Sequence, residues 1–384
     1  MSPAEHRQAL EAATSAIGRN RRPSGRLGSI AGLLALIVVP PTGAGVPSEG
    51  SSRPAVRDVV LVTVDTLRAD ALGFAGNRRA RTPNLDRLAT SSRIFERARA
   101  HNVMTLPSHA NLLTGRYPWE HGVRDNAGFV LDDEWPTAAT LLRQAGFATA
   151  AVVGAFPLDD RFGLDRGFEL YDDHYPIGSE EGLKLAERRG DEVVELGLDW
   201  WRAHEGQRRF LWLHLFDPHT PYEPTEPWAT RFRSDPYFGE VSAVDHYLTP
   251  LLEAVTEESA APALLIVTSD HGEALGEHGE LTHGLFAYEP TLRVPLLVWQ
   301  PDIRGARIDE PAGHVDILPT ILAAARVPGP DDLPGRDLFQ PLPAARSHPF
   351  ENLNPALNRG WAPLRGVVQS EIKYIELPIP ELYD

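Results

Sequence analysis

Five short, mostly apolar runs constrain the fold of this chain more than any other feature of its sequence. The first, Val59–Val64, is rich in β-branched residues and ends at Asp65. Runs of this kind lack polar alternation and are typical of central parallel strands that are covered on both faces. Four similar runs follow along the chain: Ala148–Val153, Phe210–Phe216, Leu264–Thr268 and Val294–Trp299.

Helix-like segments separate these runs. One helix is predicted to begin at Thr82-Pro83, because threonine is a common N-cap and proline suits the first turn. Others are predicted at Gly182–Ala203, Val241–Glu258 and His314–Ala325. Strands that alternate with helices predict an α/β fold in which helices sandwich a mostly parallel sheet. In such sheets the active site forms beyond the carboxyl ends of the strands.

Composition divides the rest of the chain. Residues 45–57, rich in Gly, Ser, Pro and Arg, are predicted to be a linker before a main domain over residues 58–335. Short segments broken by proline follow, and we predict a small C-terminal α+β subdomain, minimal or truncated, over residues 336–384. A strand pair is expected within it at Leu364–Val368 and Ile372–Ile375.

Residues 1–44 have the pattern of an export signal. Arginines precede the apolar run Leu27–Val39, and small residues follow it. Its thirteen residues are fewer than the roughly 20 that a membrane-spanning helix needs, so no stable membrane span is predicted. We therefore predict an exported protein, periplasmic or extracellular. The alternative is a disordered tail with a chance apolar patch.

Charge and cysteine content exclude some chemistries. The formal net charge of −16 argues against nucleic-acid binding, because phosphates attract basic surfaces. A small anionic ester stays compatible, since it responds to the local site and to any bound metal ion. The absence of cysteine excludes disulfides, thiolate ligands and cysteine nucleophiles.

Acidic and histidine residues follow three of the predicted strands. Asp65 ends the first, Asp217 and His219 follow another, and Asp270 and His271 follow a third. Aligned strand ends would let these residues converge on one metal ion, whereas the alternative for each is an ordinary turn or cap. Mixed carboxylate and imidazole ligands favour Zn, Mn or a similar transition ion over Ca.

The segment Thr105–Arg116 is the second strong signal. Pro107 fits the first turn of a helix and Gly115 fits its end. Thr105 would then lie at the helix N-terminus, where free N–H groups and the helix dipole stabilise an oxyanion or a phosphoryl group. Ordinary N-capping by threonine is the competing interpretation.

This segment resembles the sulfatase signature, in which Cys or Ser is followed by any residue, Pro, Ser and Arg, and later by Leu-Thr-Gly-Arg. Further motifs in the family's order extend the resemblance from Asp58 to the C-terminus: Val64–Asp70, His121–Asn126, Phe216–Tyr222, Ser269–Glu273, Gly276–Gly279, His283-Gly284 and Leu292–Pro295. The resemblance implies the alkaline-phosphatase-like fold. It also implies a divalent metal ion held by Asp65, Asp270 and His271 and contacted by Thr105.

The chain departs from the family pattern at the reaction centre. Sulfatases oxidise the signature Cys or Ser to formylglycine, whereas Thr105 could give only a ketone. His109 replaces the signature Arg, Thr66 replaces the usual second Asp of the first strand, and His283 stands for a lysine that often contacts sulfate. A threonine nucleophile and an Asp-His pair resemble the phosphodiesterase and phosphotransferase branches of the superfamily.

The resemblance implies a hydrolase of phosphate or sulfate esters, with phosphoesters and phosphodiesters favoured. The metal ion would activate Thr105 for attack on phosphorus or sulfur, and water would hydrolyse the covalent ester. Five residues would bind the non-bridging oxygens or protonate the leaving group: His109, Arg116, Asn126, His219 and His283. Asp217, with His219 or His283, is a candidate for a second metal ion, and hydrogen-bonding loop residues are the alternative.

The ester would be small and anionic, and a glycan or lipid is a candidate for its leaving group. Two rival functions stay open. One is a true sulfatase that works by another route. The other is a non-catalytic descendant that binds a metal ion, or an anionic glycan or lipid, without turnover. The retained Asp-His pair and Asn126 argue against the second rival.

Overall fold

The computed structural model describes residues 54–174, 187–258, 261–301 and 303–384. The predicted export segment, residues 1–44, and most of the predicted linker lie outside the described residues. Ala55–Asp384 groups as one compact unit. The boundary near residue 335 therefore stays a prediction.

The strands carry the numbers used below. In chain order they are β1 (Asp58–Val64), β2 (Arg93–Phe95), β3 (Ala98–Arg99), β4 (Ala148–Val153), β5 (Leu170–Asp172), β6 (Arg209–Leu215), β7 (Ala263–Ser269), β8 (Leu296–Trp299), β9 (Ala306–Ile308), β10 (Ala312–Gly313), β11 (Ser347–Asn352), β12 (Leu364–Gln369), β13 (Ile372–Glu376) and β14 (Glu381–Tyr383).

The helices are numbered in the same way. They are α1 (Pro83–Ser91), α2 (Thr105–Thr114), α3 (Pro118–His121), α4 (Ala138–Gln144), α5 (Gly190–Ala203), α6 (Trp228–Arg231), α7 (Pro236–Glu253), α8 (Glu289–Leu292), α9 (Ile317–Ala325) and α10 (Asn354–Arg359). A π-helical turn, Ala254–Glu258, follows α7.

Within the described residues the main sheet has eight strands in the order β5-β4-β6-β1-β7-β8-β2-β9. The first five are parallel, whereas β8 runs antiparallel to both of its neighbours. The prediction of a mostly parallel α/β sheet is therefore confirmed. Val64 at the end of β1 is opposite Leu215 of β6 and Ser269 of β7. The residues that follow these three strands consequently emerge side by side.

Helices cover both faces of the sheet. Val59 and Leu61 of β1 pack in the apolar layer that contains α2, α4 and α9. Val60 and Val62 pack in the opposite layer with α1, α5 and α7. Successive side chains along a strand point to opposite faces of the sheet, and helices cover both faces. Both faces of each central strand are therefore apolar.

The C-terminal residues form an antiparallel sheet in the order β11-β12-β13-β14. The predicted pairing of Leu364–Val368 with Ile372–Ile375 is confirmed by the register of β12 and β13. Asp125, in the loop after α3, is joined to α10 of this region, because its carboxylate accepts from the Nδ2 atoms of Asn354 and Asn358 at 3.0 and 2.6 Å. Among the described residues we find no helix that is long and apolar enough to span a bilayer.

Candidate active site

Three predicted metal ligands meet at the carboxyl edge of the sheet. Asp65 follows β1, and Asp270 and His271 follow the adjacent β7. The Nε2 atom of His271 lies 3.4 Å from Asp270 Oδ2 and 3.9 Å from Asp65 Oδ1. One ligand atom from each of the three residues lies within 4.8 Å of the other two. All three side chains are fully buried.

Several polar atoms of these three side chains lack a hydrogen-bond partner among the described residues. Among the described residues, no group hydrogen-bonds to either carboxylate oxygen of Asp65, to Asp270 Oδ2 or to His271 Nε2. Asp270 Oδ1, by contrast, accepts from the backbone N–H of His271 at 2.8 Å, which fixes the carboxylate. Buried polar atoms are normally paired, because each unpaired one costs roughly 1–3 kcal/mol. Two carboxylates and one imidazole that converge in this way fit a divalent cation.

The electrostatics agree with that fit. Burial raises the pKa of Asp65 well above its usual range, and the nearby charge of Asp270 raises it further. Burial opposes ionisation of Asp270 too, but His271 and other nearby imidazoles outweigh it and lower the pKa to about 2. The two carboxylates repel each other when both are charged, and a cation between them would remove the repulsion.

Thr105 is the first residue of α2, and it does not cap that helix. The N-cap residue is Met104, and no side chain at that position accepts from the helix. The backbone N–H of Leu106 instead donates to Asn126 Oδ1 at 2.8 Å. The ordinary capping interpretation of Thr105 is therefore wrong, since Asn126 performs that task. The side chain of Thr105 is left without a hydrogen bond among the described residues.

His109, which the sequence predicted to contact the substrate, is hydrogen-bonded within the protein. Its Nδ1 lies 2.8 Å from the carbonyl oxygen of Thr105, and its Nε2 lies 3.0 Å from Thr63 Oγ1. Burial lowers the pKa of His109 to about 3, so the ring is neutral. Because a carbonyl only accepts, Nδ1 carries the proton and Nε2 accepts from Thr63. Both ring nitrogens thus have partners within the protein, and they link the first turn of α2 to β1.

Two other predicted site residues, Arg116 and Asp217, have partners elsewhere in the protein. Arg116 lies beyond the C-terminal end of α2, about 15 Å from Thr105 for a ten-residue helix. Its guanidinium pairs with the carboxylate of Asp332 and donates to the Asp332 carbonyl at 3.0 Å. These contacts join the chain after α2 to the loop that contains Asp332. Asp217 Oδ2 accepts from the backbone N–H of Gly190 at 2.8 Å, at the start of α5. In the described residues no group of close ligand atoms includes Asp217.

His219 and His283 do lie beside the carboxylate–imidazole group. The ring of His283 is 4.5 Å from that of His271 and 5.2 Å from that of His219, measured between centroids. Their Nδ1 atoms face the Thr220 carbonyl at 2.7 Å for His219 and Glu273 Oε1 at 3.2 Å for His283. Burial lowers the pKa of both rings to about 4.

Sequence reasoning missed two residues of this site. Glu273 is buried, and its other oxygen accepts from the Tyr222 hydroxyl at 3.0 Å. His214 is fully buried in β6, and its Nε2 lies 3.5 Å from Asp65 Oδ2. Glu273 follows the Asp-His pair closely and could have been noticed. The one signal for His214 was a histidine inside an otherwise apolar run.

Comparisons with known proteins agree with this architecture. The family model described as Sulfatase matches residues 57–327. An arylsulfatase from Clostridium perfringens is 25% identical over 376 residues, which cover 73% of this chain and 77% of that protein. The N-acetylgalactosamine-6-sulfatase of Canis lupus familiaris is 25% identical over 78% of this chain and 68% of its own length. The phosphonate monoester hydrolase of Agrobacterium radiobacter superposes with a TM-score of 0.71 at 21% identity, over 85% of this chain and 89% of that one.

The fold and the family match together define an ester hydrolase of the alkaline phosphatase superfamily. Within that superfamily, the chain belongs to the sulfatase family. The proteins that it resembles include both sulfatases and a phosphonate monoester hydrolase. Family membership alone therefore does not define which ester is hydrolysed.

Proposed function

We propose that this protein hydrolyses phosphorus esters, with phosphomonoesters, phosphodiesters and phosphonate monoesters ahead of sulfate esters, and that Thr105 is the nucleophile. Asp65, Asp270 and His271 would hold a divalent metal ion. When bound, that ion would lower the pKa of the Thr105 hydroxyl and offset negative charge in the transition state. The mixture of carboxylate and imidazole ligands favours zinc or manganese over calcium.

One observation carries this proposal. The residue at the position of the family's nucleophile is a threonine whose hydroxyl has no hydrogen-bond partner in the described part of the chain, although its helix is capped by another residue. Threonine cannot supply formylglycine, and the chain has no cysteine. An uncommitted secondary hydroxyl suits direct attack on phosphorus. Thr105 is linked to the carboxylates through His109, whose Nδ1 lies 2.8 Å from the Thr105 carbonyl oxygen and which shares a group of close ligand atoms with Asp270.

The surrounding residues have defined tasks in this reaction. Asn126 Oδ1 is held by the Leu106 N–H, so its Nδ2 points away from the helix and can donate to a non-bridging oxygen. His109 holds the Thr105 carbonyl. His219 and His283 present their Nε2 atoms, because their Nδ1 atoms are occupied. An anionic ester bound beside these rings raises their pKa values, and a protonated Nε2 then donates to the leaving oxygen.

The reaction has two steps. In the first, the Thr105 hydroxyl gives its proton to solvent, its oxygen forms a bond to phosphorus, and the bond from phosphorus to the leaving oxygen breaks. The leaving oxygen takes a proton from protonated His219 or His283. In the second, the oxygen of a water molecule bonds to phosphorus and the bond from phosphorus to the Thr105 oxygen breaks, which releases the phosphoryl product. One proton of that water restores the Thr105 hydroxyl, and the neutral imidazole regains a proton from solvent.

The substrate would be a small anionic ester whose leaving group is a glycan or a lipid. The names of several relatives refer to amino sugar sulfates, as in N-acetylgalactosamine-6-sulfatase, which supports a glycan. We further propose that the protein is exported, on the basis of the arginines and apolar run in residues 1–44.

A panel of aryl esters tests this function. Purified protein would be assayed with p-nitrophenyl phosphate, bis-p-nitrophenyl phosphate, a p-nitrophenyl phosphonate and p-nitrophenyl sulfate, before and after chelation. We expect turnover of the phosphorus esters, loss of activity with chelator, and recovery with Zn²⁺ or Mn²⁺. Faster turnover of the sulfate would establish the rival sulfatase function. Metal binding without turnover of any ester would establish the non-catalytic one, and full activity in chelator would exclude the metal site.

A further inference from the structure

His214 is a buried imidazole at the carboxyl edge that the proposed reaction does not use. It is the penultimate residue of β6, opposite Thr63 of β1 and Val153 of β4. The strand is buried on both faces, so a polar side chain here has no route to solvent. A histidine at such a position needs a partner inside the protein.

The described residues supply no such partner. Neither ring nitrogen of His214 makes a hydrogen bond within the described part of the chain. Other buried histidines differ in this respect. His109 is bonded at both nitrogens, and so is His121, whose Nε2 lies 2.7 Å from Asn111 Oδ1 and whose Nδ1 accepts from the Val123 N–H at 3.1 Å. Among the described buried histidines, His214 therefore stands apart, because neither of its ring nitrogens has a hydrogen-bond partner.

One of its two unpaired nitrogens, Nε2, faces the proposed metal ligand Asp65. His214 Nε2 lies 3.5 Å from Asp65 Oδ2, and a nitrogen of His214 lies within 4.8 Å of a carboxylate oxygen of Asp270. Ligands bonded to one ion at about 2.0–2.2 Å lie about 3–3.6 Å apart. The 3.5 Å separation falls in that range, as does the 3.4 Å between His271 Nε2 and Asp270 Oδ2.

Neighbouring groups that could compete for the same position are already occupied. The hydroxyl of Thr66 donates to the Pro218 carbonyl. His109, which shares a group of close ligand atoms with His214 and Asp270, uses both of its nitrogens elsewhere. Within the described residues, His214 thus has an unpaired nitrogen 3.5 Å from Asp65, and it shares Asp270 with the ligand group formed by Asp65, Asp270 and His271.

We propose that His214 is a further protein ligand of the metal ion held by Asp65, Asp270 and His271, an inference that rests on the proposed function. The ligand set then contains two carboxylates and two imidazoles, and the two negative charges match a divalent cation. Two nitrogen donors select a transition ion such as zinc over calcium.

The variant His214→Leu, in the whole chain, tests this assignment through metal binding and stability, without any assay of activity. By calorimetry against competing chelator, we expect Zn²⁺ affinity to fall at least tenfold, as loss of an interaction at a metal site does. Weak Ca²⁺ binding should change little. The metal-free variant should melt at or above the wild-type temperature, since two unpaired nitrogens are removed.

His121→Leu is the matched control, because it also removes a buried imidazole. It should melt at a lower temperature, since it leaves Asn111 and Val123 without partners, and it should bind Zn²⁺ as the wild type does. Unchanged Zn²⁺ affinity in a folded His214→Leu protein would overturn the assignment of His214.

Pulsed electron paramagnetic resonance on Cu²⁺-loaded protein counts imidazole ligands directly. Two coordinated imidazoles are expected in the wild type and one in His214→Leu, whereas one in both would overturn the assignment. If the wild type bound no metal ion, the proposed function itself would fail, so the two failures are distinguishable.

Discussion

The two ends of the same pair of strands hold buried charge in opposite ways. At the amino end, Asp58 of β1 faces Arg209 of β6, and two hydrogen bonds of 3.2 and 2.6 Å join their side chains. Arg209 also donates to the Trp201 carbonyl at 2.6 Å and lies 3.6 Å above the Trp201 ring. At the carboxyl end, Asp65 and His214 are equally buried, and neither has a hydrogen bond from its charged or ring atoms within the described residues.

This difference separates structural charge from functional charge. A buried acid and base that hydrogen-bond to each other help to specify one folded structure, and they need no ligand. Unpaired polar atoms destabilise the fold, and they are retained where a ligand or a reaction uses them. The amino end is therefore expected to control stability, and the carboxyl end to control metal binding and catalysis.

The largest expected effect is at Thr105. Thr105→Ala should lose at least about a thousandfold in kcat, because it removes the covalent nucleophile, while remaining folded. Thr105→Ser should keep measurable turnover of phosphorus esters, because a primary hydroxyl occupies the same place. Steady-state kinetics with circular dichroism would check both variants. A folded Thr105→Ala protein with near wild-type kcat would show that the nucleophile is elsewhere.

The second effect concerns the amino end. Arg209→Met should lower the free energy of unfolding by about 3–5 kcal/mol, because Asp58 is left buried without its partner. Urea denaturation of metal-free protein would measure the loss, and Zn²⁺ affinity should be unchanged. The double variant Asp58→Leu with Arg209→Met should recover much of the stability. A loss of Zn²⁺ affinity in folded Arg209→Met would contradict the separation of the two ends.

The third effect has the opposite sign. Burial and the charge of Asp270 raise the pKa of Asp65, so the ionised carboxylate is unfavourable in the folded protein without a cation. Asp65→Asn should therefore leave the melting temperature of metal-free protein unchanged or higher, while the stabilisation by added Zn²⁺ disappears. Thermal melts with and without Zn²⁺ measure both quantities. A clear drop in the melting temperature of the metal-free variant would mean that Asp65 is structural.

A further effect, which depends on pH, lies outside both ends, at Glu240 of α7. Burial, followed by the charge of Asp217, raises the pKa of Glu240 from 4.5 to about 9. The folded protein therefore holds this proton more tightly than the unfolded chain does. The stability linked to it is complete below pH 4.5 and is lost as the pH rises towards 9.

Glu240→Gln should accordingly flatten the decline of unfolding free energy across that pH interval. Urea denaturation at several pH values would show it, with the exposed Glu205→Gln as a control that keeps the wild-type slope. If the unfolding free energy of Glu240→Gln fell with pH as steeply as that of the wild type, the raised pKa of Glu240 would be contradicted.

Much of the fold was predictable, because continuous apolar runs report burial on both faces. The predicted strands nevertheless began one residue late at Asp58 and Arg209, since each charged residue is neutralised by the other across two strands. The three-residue strands β2, β5 and β9 carry no long apolar run, and they were missed for that reason.

The part of the site that directly follows the strand ends was predictable from the sequence. Parallel register places Asp65 and Asp270 at one edge whatever the details of packing. His214 depends on which strand lies next to β1, a fact of tertiary structure that its own segment does not report. The partners of Arg116 and His109 within the protein were not predictable, because a sequence motif does not report where each side chain points.

The central claim is that Thr105 becomes phosphorylated at a metal-dependent site. The most direct measurement is mass spectrometry of protein quenched during turnover of a phosphorus ester, with Thr105→Ala and chelated protein treated in parallel. The peptide that contains Thr105 should gain the mass of one phosphoryl group in the metal-loaded wild type and in neither control. A phosphoryl group on another peptide, or one that persists in Thr105→Ala, would contradict the mechanism.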